Sequence, residues 1–71
     1  MLMHLRVTPV AELERGEVVR LGQRVVAVEK VTRGSLAYRG ASIAVAYVSG
    51  RSCDGPARLV VLASERVIAG H

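Results

Sequence analysis

Tryptophan and phenylalanine are absent from the 71 residues, and Tyr38 and Tyr47 are the only aromatic side chains. The core must therefore be built from Val, Leu, Ile and Ala, which bury less area per residue, in a chain near the lower length limit for a stable core. A single, marginally stable domain follows, for which self-association is one remedy. Cys53 is the one cysteine, so an intramolecular disulfide is excluded and a reducing compartment is the simpler setting. There is no apolar run long enough for a membrane helix, and Arg6 interrupts the N-terminal stretch too early for a secretory leader. A cytoplasmic protein without membrane attachment is expected.

Chemistry-bearing motifs are missing too. Neither GxGxxG nor GxxxxGK[ST] occurs, and no pair of residues has metal-ligand spacing. His4, Cys53, Asp54 and His71 are the only residues from which a thiol, base and orienter set could be drawn, and two of them lie near chain ends. Catalysis, a metal and a cofactor are not expected.

What is present is positive charge. The net charge is +4, and every basic residue except Lys30 is an arginine. Such a surface suits phosphate backbones, acidic protein surfaces or anionic membranes. Arginine with abundant Ala, Val and Gly is also what GC-rich coding sequence yields, so only part of the bias speaks for function.

The chain reads as a succession of strands organised around residues 17–31, EVVRLGQRVVAVEKV, two β-rich runs joined at Leu21, Gly22, Gln23 and Arg24. Before it, residues 1–7 alternate, with Leu5 and Val7 on one face and Arg6 on the other, and Pro9 ends that strand. Residues 10–15 suffice for one helical turn, with Leu13 as an apolar plug. The second strand of the hairpin, from residue 24 to about 33, breaks strict alternation at Val25, Val26 and Val28, the mark of a bulge or bend. Residues 33–40, RGSLAYRG, read as a projecting hairpin loop. Strands are expected at 41–48, 57–63 and 67–69, with a turn at 49–56 and a short turn at 64–66. The expected fold is all-β, a small five- or six-stranded SH3-like barrel.

With that order in hand, the chain resembles the N-terminal, KOW-like domain of elongation factor P and its eukaryotic relatives. The resemblance rests on Leu13, Gly16, Glu17, Val18 and Val19, on Leu21, Gly22 and Gln23, on Val28, Glu29 and Val31, on Gly40 and Ala41, and on Glu65, Arg66 and Val67. It implies an SH3-like fold and proximity to nucleic acid or the ribosome. In that family the loop between the second and third strands presents a modified lysine. Here the loop has none, Tyr38 or Arg39 falling nearest its place, so the factor's activity is not implied.

Two function classes stand side by side. In the first, Arg33, Arg39, Arg51 and Arg58 contact the phosphates of RNA, DNA or a ribonucleoprotein, with Tyr38 able to stack on a base. Two aromatics make a poor stacking platform, which favours phosphate-led, sequence-tolerant contact. In the second, the N-terminal strand or an open sheet edge recruits a protein partner or another copy of the chain. For each basic residue the plain alternative is a solvated surface charge. Whether the chain is a host protein or an accessory product of a mobile element stays open.

Overall fold

A computed structural model describes residues 4–70. Six strands form a single antiparallel sheet in the order β1-β6-β2-β3-β4-β5, where β1 is Leu5–Pro9, β2 Val18–Leu21, β3 Arg24–Tyr38, β4 Ala41–Ser52, β5 Gly55–Leu62 and β6 Arg66–Gly70. The chain is all-β, with one 3₁₀ turn at Val10–Glu12 between β1 and β2. The sheet bends around its core but does not close, leaving β1 and β5 as its two edges.

The core is aliphatic, as the composition requires. Val10, Val19, Val26 and Val48 are its largest fully buried side chains, joined by Leu13, Leu21, Val28, Ala46, Ala57 and Ala69. Leu13 is the plug expected of the connection after Pro9. The broken alternation in β3 has two causes. Val25 is an exposed apolar residue beside buried Val26, and the β3–β4 register slips between Val28 and Lys30, so Glu29 is the extra residue of a bulge. Downstream of the bulge the strand changes which residues it turns inward.

The region expected to be a loop at residues 33–40 is strand. β3 runs on to Tyr38 and β4 starts at Ala41, with every pair from Arg33↔Ala46 to Tyr38↔Ala41 in register. Arg39 and Gly40 alone make the turn, at φ 51° and φ 78°. Two successive positive φ values are the twist that a two-residue hairpin needs, and glycine supplies the second without steric cost. Gly34, which punctuates the sequence like a loop residue, lies within the strand opposite Val45. The result is an arm that helps stretch the molecule to 48 × 25 × 19 Å.

The 3₁₀ turn lies before β2, and residues 63–65 before β6 are a simple turn closed by Glu65 N–H donating to Leu62 O at 3.0 Å. In β1 the alternation holds, with the apolar residues on the outside, the reverse of the usual half-buried strand. Leu5 and Val7 are exposed, while Thr8 is buried and Arg6 turns toward Glu17. Residues 1–3 of that expected strand, and His71, lie outside the described residues.

Glu17 explains the reversal. Its buried carboxylate accepts two hydrogen bonds from Arg6, Nη2 to Oε1 at 2.7 Å and Nε to Oε2 at 2.9 Å, and one from the Glu14 amide at 2.8 Å. Arg6 Nη2 also donates to the Glu12 carbonyl at 3.0 Å. This bidentate geometry locks β1 to the connection before β2, and the guanidinium is held in its charged form by that hydrogen bond to Glu17. Arg6→Ala strips the guanidinium from a buried carboxylate and should lower Tm by several degrees in thermal denaturation. Arg15→Ala, an exposed change on the same connection, should leave Tm within about 3 °C of wild type.

Candidate nucleic-acid interface

Residues opposite one another in an antiparallel ladder share a face, so the registers assign every side chain of β3, β4 and β5 to one side of the sheet. One side carries Val48, Ala46 and Ala57 into the core. The other side, facing away from the core, reads in rungs. Lys30, Ser49 and Arg58 form the first, Thr32, Tyr47 and Val60 the second, and Gly34, Val45 and Leu62 the third. Beyond these, the arm adds Leu36 with Ile43, then Tyr38 with Ala41.

The first two rungs enclose a shallow groove of about 470 Å³ lined by Lys30, Thr32, Tyr47, Ser49, Arg58 and Val60 among others. Lys30 and Arg58 are two strands apart, roughly 10 Å at the backbone. Neither makes an ion pair among the described residues. Ser49 lies between them, its hydroxyl 3.5 Å from the Lys30 carbonyl.

Tyr47 is placed by a glycine. A Cβ built at Gly34 would lie 2.5 Å from Tyr47 Cε2, so the ring rests directly on the Gly34 backbone, diagonal to it across the ladder. An aromatic covering a strand glycine this way satisfies a gap in the sheet surface and fixes the ring's orientation. Tyr47 nonetheless stays 38 % exposed. The groove thus holds two cations, hydroxyls from Thr32 and Ser49, and one ring, the set of groups that can engage a phosphodiester and a neighbouring base.

The five residues expected to form one patch do not converge. Arg58 is in the groove. Arg51 shares its face, but its Nε is 3.7 Å from Glu29 Oε2, so the bulge residue offsets part of its charge. Tyr38 and Arg39 sit at the tip of the arm, eight residues along β4 from the Lys30 rung, about 27 Å away. There the Arg39 guanidinium lies 5.4 Å from the centroid of the Tyr38 ring, so the two engage each other by cation–π attraction. Arg33 pairs with buried Ala46 and faces the opposite side from Tyr47 and Tyr38.

Lys30, Tyr47, Thr32 and Ser49 were not singled out from sequence. Their alternation is legible, but it becomes a site only once the turn at Cys53 and Asp54 fixes Ser49 opposite Arg58, and that turn lies inside a longer punctuated stretch. Among the described residues no group of three His, Cys, Asp or Glu side chains could hold a metal ion, and no helix is long and apolar enough to cross a membrane.

Comparisons with protein-family models, with curated proteins and with solved structures find no match. The resemblance to the elongation factor P domain therefore rests on the quoted residues alone.

Replacing Gly34 with Val should displace the Tyr47 ring. The ring resonances of Tyr47 should move in an NMR spectrum while those of Tyr38 hold, and unmoved Tyr47 signals would mean that the ring does not rest on this glycine.

Proposed function

We propose that the chain is a non-enzymatic nucleic-acid-binding module that uses the outer face of β3, β4 and β5. The observation that carries this reading is the rung Lys30–Ser49–Arg58: two cations without carboxylate partners among the described residues, flanking a hydroxyl and standing next to an exposed ring. Of the acidic residues, Glu12, Glu14 and Glu17 belong to the connection after β1 and Glu65 to the turn before β6. Glu29 and Asp54 alone border the outer face. Phosphates supply most of the affinity and the readout is sequence-tolerant, because one ring in the groove can stack on one base only. RNA, DNA or a ribonucleoprotein all offer that chemistry.

The bent sheet, the single 3₁₀ turn and the bulged long strand support an SH3-like, open half-barrel as the reading of the architecture. The lone exposed cysteine, Cys53, fits a reducing, cytoplasmic setting. A second reading, a protein-interaction module acting through the N-terminal strand, is favoured by Leu5 and Val7 of β1 with Ile68 of β6, which are 66 %, 61 % and 61 % exposed and adjacent on the outer surface.

Fluorescence anisotropy of labelled RNA and DNA at increasing salt tests the first reading. Lys30→Ala with Arg58→Ala should weaken binding and reduce the slope of log affinity against log salt by about two, one per lost phosphate contact. Arg33→Ala, on the other face, should leave the slope unchanged. A larger effect from Arg33 than from the pair would move the interface to the other side of the sheet.

A further inference from the structure

We infer that a second copy of this chain pairs with the free edge of β5, joining two open sheets into one about a two-fold axis through Val60. The pairing rests on the edge of β5 and shares Arg58 and Val60 with the groove proposed above, so it is tested by mass and amide protection and not by nucleic-acid binding.

The direction of the backbone groups along β5 sets the geometry. Ala63 N–H donates to Ala44 O at 3.1 Å, on the same register that sets Val45↔Leu62. Narrow and wide rungs alternate in an antiparallel ladder, so Leu59 and Val61 direct their amide and carbonyl groups to β4. Arg58, Val60 and Leu62 direct theirs outward, the Leu62 carbonyl already accepting one hydrogen bond from Glu65 N–H. No strand pairs with them among the described residues. Proteins usually blunt such an edge with a proline, a bulge or a charge. Here Pro56 lies at the very start of β5, the β4–β5 ladder runs without a register shift, and nothing charged follows Arg58 before the strand ends. From residue 59 to 62 the edge is apolar and without a bulge.

Its sequence is self-complementary. An antiparallel copy centred on Val60 sets Val60 against Val60 of the second copy, Leu59 against Val61, and Arg58 against Leu62. The two Arg58 side chains stand at opposite ends and do not oppose each other, so the register avoids the like-charge penalty that defeats many homotypic edges. Glu65 is folded back on the end of β5 by its hydrogen bond to Leu62 O. The Arg58–Leu62 rung therefore brings Glu65 of each copy toward Arg58 of the other, a favourable pairing repeated by symmetry.

There is also room. Beside β5, between it and the β6–β2 side of the bent sheet, runs a cleft of about 540 Å³ lined by Leu59 and Val61 with Leu21, Val67, Ile68 and Glu65 among others. The inward-facing Leu59 and Val61 of the arriving strand would enter this cleft, covering an apolar core that the open sheet leaves partly wet. On the outer side the pairing would cover Val60 and Leu62, now 55 % and 51 % exposed. A small aliphatic domain gains most from such added burial.

Size-exclusion chromatography with light scattering should give a mass about twice the 7.6 kDa of the chain. Val60→Lys places two like charges face to face at the axis and should return the mass to that of one chain, with the β-sheet circular dichroism spectrum retained because Val60 is exposed. Val7→Lys, on the other edge strand, should remain dimeric. In hydrogen exchange, the Val60 and Leu62 amides of the wild type should be protected and become labile in the Val60→Lys variant. A wild-type mass of one chain at tens of micromolar, or a dimer lost in Val7→Lys and kept in Val60→Lys, would overturn the inference. Should Val60→Lys unfold, exchange at those two amides in the wild type decides alone, fast exchange counting against it.

Discussion

Glu17 is the buried charged residue of an interior that, apart from it and Thr8, is aliphatic among the described residues, and the geometry of the sheet follows from how it is satisfied. Its side chain takes the Arg6 guanidinium and the Glu14 amide, while its backbone carbonyl accepts from Val28 N–H at 2.8 Å. One residue thus ties β1, the connection after it and the point on β3 just before the bulge. A buried charge left without its partners is costly, so this arrangement strongly disfavours registers that separate them. Arg6 must point inward, and by period-two alternation Leu5 and Val7 must then point out. Apolar residues on the outside of β1 are a consequence of the ion pair, not a fault in the pattern.

The same anchor organises the outer face. With Val28 fixed against Glu17, the slip at Glu29 changes which residues of β3 face outward, and Lys30 and Thr32 emerge beside Ser49 and Tyr47. Before the bulge β3 pairs with β2, and after it β3 pairs with β4, first within the three-stranded face that includes β5 and, beyond Gly34, as a two-stranded arm. Gly34 marks that transition and carries the Tyr47 ring. A cationic groove and a projecting arm therefore both arise from one long strand that is bent at one extra residue.

Much of this was legible in the sequence. Strand order along the chain, the first hairpin at Gly22, the Leu13 plug, the irregularity in β3 and the open question of an exposed edge all follow from spacing and residue type. What was not legible depends on register. Whether residues 33–38 are loop or strand turns on Gly34, which punctuates a sequence but here makes space for a ring packed across the ladder. Alternation along β3 separates Lys30 from Arg33, but which residues of β4 and β5 join Lys30 depends on two turns, Arg39–Gly40 and Cys53–Asp54, whose positions bring Ser49 and Arg58 to its side of the sheet. A shift of a single residue at either turn exchanges the faces, and alternation alone does not fix it. The inward turn of Arg6 likewise needed knowledge of a partner eleven positions away.

The central claim is that the outer face of β3, β4 and β5 is the binding face. An amide NMR map of the labelled protein titrated with a short single-stranded oligonucleotide tests it most directly. The account predicts shifts concentrated at Lys30, Thr32, Tyr47, Arg58 and Val60, fading toward β1. Shifts confined to Arg33 and its neighbours on the other side, or none at low salt, would contradict it.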